Sequence, residues 1–290
     1  MLIDPAGHHL HTLFKSSLLS VQDYRCSLPK GTRPHTEASA AHAIVLPRAG
    51  LYLRRDANGE AIADATQVLF FNRGQPYEVI HPLEGGDTST IFTLHPQLLN
   101  ELVYAASPAA EKRPEQPFQA SQAHLDTPLR LHQYRLLQRG IQPFELLEFE
   151  EQCLALLAEV VRVGLHPESR PDLTRTSRTT RAHAELAEAT QIYLAAQFRT
   201  PAGLAQIARA VYASPFHLAR VFKQQTGLSL HQYRLRLRLA QALEEIASRP
   251  QAPLWQIALD LGFASPNHFS SAFRRAYSLT PAQFRRQVIH

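Results

Sequence analysis

The feature that most constrains the fold is a stretch of about twenty residues that occurs twice. Residues 214–233 read SPFHLARVFKQQTGLSLHQY, and residues 265–284 read SPNHFSSAFRRAYSLTPAQF. The two copies align without a gap, with Ser, Pro and His recurring at the same positions. A short segment containing an Ile-Ala pair precedes each copy, at 206–211 and 256–263. The pattern indicates one local structure built twice.

Each copy predicts a helix, a tight turn and a second helix. A serine hydroxyl before the second helix can cap its free N–H groups, and proline suits the first helical position, where no N–H is required. Gly262 can take the left-handed conformation that ends the preceding helix. Tyr212 stands near that place in the first copy, where the turn is one residue shorter. The sequence therefore predicts two helix-turn-helix motifs.

The second helix of each motif has an apolar face and a polar face. The apolar face suits packing on the preceding helix. The polar face is free to enter a major groove, where Arg can read guanine and Asn can read adenine. The residues predicted for DNA contact from this pattern are Phe216, Ala219, Arg220 and Lys223 in the first copy, and Asn267, Ser270, Ser271 and Arg274 in the second.

A long helix is predicted between the copies. Residues 233–241 alternate apolar and charged side chains, as a strand does, but their composition and one-sided apolar spacing favour helix. A helix over 230–247 spans about 27 Å. That length can hold two probes roughly 34 Å apart, which is one turn of DNA. The alternative is a helical bundle with duplicated packing.

Charge is distributed unevenly along the chain. Residues 1–169 hold 14 Lys and Arg against 19 Asp and Glu, whereas residues 170–290 hold 16 against 6. A basic domain favours a polyanion as its partner.

The first 165 residues read as short strands followed by helices. Strands are predicted at 42–47 and 50–55, separated by a turn, and again at 67–72 and 88–94. Such a series suggests a β-barrel or sandwich. The helix 143–164 has a broad apolar stripe that suits either a partner helix or the cover of its own barrel. Residues 166–180 contain almost no apolar side chains, which indicates a linker.

The repeat resembles the DNA-binding domain of the AraC/XylS family of bacterial transcription regulators over about 181–288. The residues that carry the resemblance are Gly262, Phe263, Phe269, Phe273, Arg274, Arg275, Thr280, Pro281 and Phe284. Ser278 departs from the family pattern, which usually has Gly there, and the first copy keeps that residue as Gly227. The resemblance implies DNA contacts by Phe216, Ala219, Arg220, Asn267 and Ser271, and it places Arg275 near phosphate.

The resemblance also implies a domain plan of the α+β, multidomain class. Residues 1–165 form a cupin-like regulatory or dimerisation β-barrel with flanking helices, residues 166–180 a linker, and residues 181–290 an all-α domain whose two motifs are joined by a long linker helix. The implied partners are double-stranded DNA, RNA polymerase, a small-molecule effector at the barrel and a second copy through 143–164. We expect a bacterial, cytoplasmic, nucleoid-associated protein, since no apolar stretch is long enough to span a membrane and no secretory signal is present.

A metal-dependent cupin enzyme fused to a DNA-binding domain is the alternative function. Metal-binding cupins resemble the pattern G-x5-H-x-H-x3-4-E, whereas His9-Leu10-His11 lacks the acidic residue at that spacing. A cluster of Cys26, His35, Glu37 and His42 could in principle bind Zn²⁺. We expect no enzymatic activity, no cofactor and no metal. A third hypothesis is a structural nucleoid protein that binds any duplex equally.

Overall fold

The computed structural model describes residues 2–4, 8–27, 35–57, 59–106, 115–141, 145–165 and 178–289. The chain divides into two compact units, Met1–Arg170 and Pro171–His290. Most of the predicted linker, 166–177, lies outside the described residues. The last three residues of that linker begin a helix at Arg178, and the linker itself stays a prediction. The domain bounds 1–165 and 181–290 stay predictions.

Ten described strands form the N-terminal unit's sheet structure. They are β1 Leu2–Asp4, β2 His8–Lys15, β3 Leu19–Cys26, β4 His35–Ala38, β5 Ala43–Asp56, β6 Gly59–Asp64, β7 Gln67–Phe71, β8 Pro76–Ile80, β9 Asp87–Leu94 and β10 Gln122–His124. Every described pairing is antiparallel, in the order β1-β2-β3-β9-β5-β7-β10. The second half of β5 pairs with β6 and β8, and β4 pairs with β8. The larger and the smaller sheet therefore share β5.

Strand β5 passes from one sheet to the other at Gly50. The register of its pairing with β9 shifts between Pro47 and Ala49, and Gly50 has a φ of +79°. A Cβ at Gly50 would lie 2.1 Å from the carbonyl oxygen of Gly86. The two strands predicted at 42–47 and 50–55 are thus one bent strand, because glycine lets the backbone turn without leaving the sheet.

Three helices cover one face of the larger sheet. They are α1 Pro96–Ala106, α2 Thr127–Arg139 and α3 Leu146–Leu165. Five residues of α3 are fully buried in a core shared with β-strand residues such as Phe70 and Phe92, and these five are Cys153, Leu156, Leu157, Val160 and Val161. A Cβ at Gly164 would lie 2.2 Å from the Phe70 ring, so this helix lies directly on the sheet. Most of the described part of the apolar stripe predicted at 143–164 therefore covers its own sheet.

The opposite face of the larger sheet packs against the smaller one. This second core contains Ala43, Val45, Leu69 and Phe71 from the larger sheet and Tyr52 and Ala63 from the smaller. The packing leaves a cavity of about 140 Å³. The cavity is lined by Tyr24, Glu37, Ser39, Ala43, Val45, Tyr52, Phe71, Tyr77, Val79, Asp87, Ser89 and Ile91.

The described part of the C-terminal unit is helical. Its helices are α4 Arg178–Gln197, α5 Leu204–Ala210, α6 Pro215–Thr226, α7 Leu230–Ser248, α8 Leu254–Asp260, α9 Pro266–Tyr277 and α10 Pro281–Ile289. One core cluster joins α4, α5, α6 and α7 through residues that include Leu194, Ile207, Phe222 and Tyr233. Residues 233–241 lie within α7, which confirms the helical interpretation of their alternating pattern. Among the described residues, no helix has the length and apolarity needed to cross a bilayer.

Two glycines of the C-terminal unit have similar backbone conformations but different surroundings. Substituting each of them distinguishes the cost of backbone strain from the cost of a steric clash. Gly262 and Gly227 have φ values of +78° and +70°. A Cβ at Gly262 would lie 1.8 Å from the Arg199 carbonyl oxygen, whereas a Cβ at Gly227 would meet nothing within 4 Å. We expect Gly227→Ala to lower the free energy of unfolding by about 1 kcal/mol, and Gly262→Ala by about 3 kcal/mol or more.

Urea unfolding followed by the fluorescence of Trp255, the chain's one tryptophan, measures both effects in the full chain. Equal losses in the two variants would contradict a role for the Arg199 carbonyl contact.

Candidate nucleic-acid interface

The two motifs, α5–α6 and α8–α9, have the same backbone geometry at their turns. In the first, the N–H of Ala213 donates to the carbonyl of Ala208 at 2.9 Å. In the second, the N–H of Phe263 donates to the carbonyl of Ala258 at 3.0 Å. The two copies of the repeat therefore form equivalent backbone hydrogen bonds at their turns.

The turn residues show how the same geometry is reached with different side chains. Tyr212 has a φ of +56° and occupies the place that Gly262 holds in the second motif. A non-glycine residue in this region costs about 1–2 kcal/mol. Tyr212 can hold a side chain because it is 98% exposed, whereas the Arg199 carbonyl excludes a Cβ at Gly262.

Serine caps fix the start of each second helix, as predicted. The Ser214 hydroxyl accepts a hydrogen bond from the N–H of His217 at 3.3 Å, and the Ser265 hydroxyl accepts one from the N–H of His268 at 3.1 Å. Both helices end in the left-handed conformation, at Gly227 in the first motif and at Ser278, with a φ of +59°, in the second. Ser278, which replaces the usual glycine, therefore has the same left-handed conformation, at the cost of backbone strain.

The predicted faces of α6 and α9 are found as expected. The side chains on the inner faces are buried, namely Leu218, Val221 and Phe222 in α6 and Phe269, Ala272 and Phe273 in α9. Eight of the residues predicted to contact DNA are exposed: Phe216, Arg220, Lys223, Asn267, Ser270, Ser271, Arg274 and Arg275. Ala219, the ninth, is half-buried and packs at the edge of the core. The structure thus gathers four of these positions on α6 and five on α9.

The cations on these outer faces differ from others in the same unit. Within the described residues, Arg220, Lys223, Arg274 and Arg275 form no ion pair, so their charge faces solvent. By contrast, Arg199 lies 3.1 Å from the carboxylate of Glu245. Unpaired cations on exposed faces are suited to phosphate groups and guanine edges.

Sequence reasoning did not single out the exposed apolar side chains of α8. Trp255 is 56% exposed and Leu259 is 50% exposed, whereas Ile257 and Ala258 of the same helix are buried. The signal was present in the helical spacing, because residues opposite a buried pair face outward. These two side chains enlarge the exposed apolar surface of the second motif.

One comparison with known proteins matches the region of the two motifs. A family model described as a helix-turn-helix domain matches residues 207–287. The probable transcriptional regulator LumQ of Photobacterium leiognathi is 36% identical over 92 residues, which are 32% of this chain and 37% of LumQ. The HTH-type transcriptional regulator ArgR of Pseudomonas aeruginosa is 33% identical over 132 residues, 46% of this chain and 39% of ArgR. The chain spans less than half the length of the first curated relatives it matches.

Two solved structures illustrate the structural comparison. ToxT from Vibrio cholerae aligns over 94% of this chain and 100% of its own, with 10% identity and a TM-score of 0.37. A transcriptional regulator from Chromobacterium violaceum, described as AraC-type, aligns over 37% of this chain and 96% of its own. Its identity is 30% and its TM-score 0.34.

Phe216 and Phe222 lie on opposite faces of α6. Substituting each of them tests whether the outer face contributes to the stability of the fold. Phe216 is 80% exposed and Phe222 is fully buried. We expect Phe222→Ala to lower the free energy of unfolding by about 3–5 kcal/mol, and Phe216→Ala to change it by no more than about 0.5 kcal/mol. Urea unfolding of the full chain measures both, and a large loss in Phe216→Ala would show that this face packs inside the protein.

The family match covers α6 to α9 completely and begins inside α5. It therefore contains both capped second helices, with their exposed polar faces. LumQ is described as a probable transcriptional regulator and ArgR as an HTH-type transcriptional regulator. Residues 207–287 therefore carry a helix-turn-helix domain of the AraC type, and the chain is similar to transcriptional regulators over part of its length.

Proposed function

We propose that the whole chain is a sequence-specific, DNA-binding transcription regulator. The observation that carries the proposal is a pair of matched helices, α6 and α9, that present exposed polar faces with unpaired cations. Helix α7 lies between the two motifs in the chain and has 19 residues. Its length is about 28 Å, which suits two probes set roughly one DNA turn apart. We assign α7 the role of linker helix.

The outer residues divide into base readers and phosphate binders. Arg220 is suited to the O6 and N7 atoms of guanine, and Asn267 to the edge of adenine. Phe216 offers apolar contact to a thymine methyl group. Lys223, Arg274 and Arg275 are suited to phosphates, where charge gives affinity without reading sequence. The other three positions, Ala219, Ser270 and Ser271, are small and allow close approach of the groove.

The N-terminal unit is proposed to be a cupin-like regulatory barrel that binds a small effector in its cavity. A cavity of about 150 Å³ holds one benzene ring, so the cavity here, about 140 Å³, admits a ligand of that size. The hydroxyls of Tyr24, Tyr52 and Tyr77 are uncharged at neutral pH, and burial raises their pKa further. The Tyr77 hydroxyl donates to Glu37 at 2.8 Å. Carboxylates and tyrosines together favour a ligand that donates hydrogen bonds.

Further parts of the proposal follow the family resemblance. A homodimer contact within 143–164 is proposed at the exposed start of α3, where Leu146 and Leu147 are 58% and 65% exposed, because most of the described stripe beyond them is buried. RNA polymerase is the proposed protein partner, and the bacterial cytoplasm is the proposed location. We assign no catalytic role to the chain.

Arg220 tests sequence reading by α6. Selection of bound duplexes from a random library identifies the operator, and competition against random DNA then measures specificity at fixed salt. We expect Arg220→Ala to weaken operator binding by about 1–3 kcal/mol and to relax the preference at one base pair. Arg162→Ala is the matched control, because Arg162 belongs to the other unit and pairs with Glu159.

Arg275 provides the contrasting case of a phosphate contact. We expect Arg275→Ala to weaken binding to operator and random duplex alike, and to lower the slope of log affinity against log salt by about 1. Wild-type protein that binds the operator and random DNA equally would instead support the structural nucleoid protein, since specific binding should exceed non-specific binding by about 10³ or more.

A substitution that fills the cavity with a larger side chain tests whether an effector binds there. Ala43 is buried and lines the cavity, so Ala43→Phe places a ring in the space proposed for the effector. Compounds that raise the melting temperature of the wild-type chain are expected to lose that effect in Ala43→Phe. Operator binding by the effector-free variant should be unchanged, and a thermal shift that survives the substitution would place the ligand elsewhere.

A further inference from the structure

Three buried side chains from separate parts of the sequence converge in the N-terminal unit. They are Cys26 at the end of β3, His81 just after β8 and Asp87 at the start of β9. One ligand atom from each lies within 4.8 Å of the other two. The His81 Nε2 atom and the Asp87 Oδ1 atom are 3.1 Å apart. We propose that these three side chains bind a divalent transition-metal ion of the zinc class.

The backbone holds two of the donors in fixed positions. Cys26 and Asp87 are direct partners in the pairing of β3 with β9. Gly86, which precedes Asp87, has a φ of +66°, and a Cβ there would lie 1.9 Å from the Cys26 carbonyl oxygen. Gly50 faces Asp87 in the pairing of β5 with β9. Close backbone contacts on both sides therefore fix the donors before any ion binds, which lowers the entropic cost of binding.

The chemistry of the donors selects the class of ion. A thiolate sulfur, an imidazole nitrogen and a carboxylate oxygen are the ligand types found at Zn²⁺ sites, and the soft sulfur favours transition metals. Magnesium and calcium prefer oxygen ligands alone. Three protein ligands leave a fourth position of a tetrahedral site for water or a ligand. Because Asp87 also lines the cavity, we place this fourth position on the cavity side.

The proposed site departs from the expectation of no metal, and it differs from the cluster considered in the sequence, in which Cys26 was grouped with His35, Glu37 and His42. The Nδ1 atom of His42 accepts a hydrogen bond from the backbone N–H of Arg73 at 3.2 Å. The side chain of His35 lies outside the described residues. Of that group, only Cys26 belongs to the converging cluster found among the described residues.

The competing interpretation is a hydrogen-bonded cluster that holds no metal. Metal-free, tag-free full-length protein titrated with Co²⁺ separates the two, because cobalt bound to a thiolate gives a charge-transfer absorption in the near ultraviolet. We expect one equivalent of Co²⁺ with this band, its displacement by Zn²⁺ and no displacement by Mg²⁺. The histidines at 8, 9 and 11 carry no thiol and cannot produce the band.

The second cysteine is the matched control. Cys153 is fully buried in α3, and burial raises the pKa of its thiol to about 12. Cys26→Ser should abolish the band, whereas Cys153→Ser should keep it. Loss of an outer partner alone weakens metal binding about 10–100-fold, so His81→Ala and Asp87→Asn should weaken Co²⁺ binding at least tenfold.

Three outcomes would overturn the site. They are wild-type protein that binds no Co²⁺ at micromolar concentrations, bound Co²⁺ without the thiolate band, and a band that survives Cys26→Ser. Circular dichroism checks the fold of each variant, and should Cys26→Ser fail to fold, the wild-type band and its response to Asp87→Asn decide in the same way. Operator binding is measured separately, so failure of the metal site leaves the proposed DNA binding standing.

Discussion

The candidate interface depends on the burial of Phe222 and Phe273. Phe222 lies in a core cluster with Ile207 of α5, and the Phe273 ring contacts Phe269 of α9 and Phe284 of α10. A helix has 3.6 residues per turn, so fixing one face in a core also fixes which face meets solvent. In α6 and α9 this places arginine, lysine, asparagine and serine outward. The serine caps at 214 and 265 fix where each helix begins, so the outward residues hold equivalent positions in both motifs.

In the N-terminal unit, burial of one face of a sheet likewise fixes the direction of the side chains on its other face. Successive side chains of a strand point to opposite faces, so the larger sheet buries one set under α1, α2 and α3 and turns the other towards the smaller sheet. The second set lines the cavity together with side chains of the smaller sheet. Strand β5 joins the two sheets, and the close approach of Gly50 and Gly86 brings Asp87 both to the cavity wall and to Cys26.

The local sequence pattern was enough to predict the structure wherever a residue's conformation depends on its neighbours in the sequence. The motifs, their caps and their two faces could be predicted because capping and helical spacing act within a few residues. The same holds for 233–241, where composition outweighed an apparent strand pattern. Local pattern failed at 42–55, because the bend at Gly50 depends on the approach of Gly86 from another strand. The polar segment 178–180 forms the first turn of α4, which composition alone did not indicate.

The sequence by itself determined the repeat, its helical form, and the outward direction of most of the residues that we propose for DNA contact. Tertiary structure alone decided that most of the α3 stripe is covered by its own sheet, and that Cys26 meets His81 and Asp87 in place of His42. The physical reason is how far apart in the sequence the contacting residues lie. Helix faces and caps are set by residues three or four apart, whereas sheet pairing brings together side chains about sixty residues apart, with no local signal to show which partners will meet.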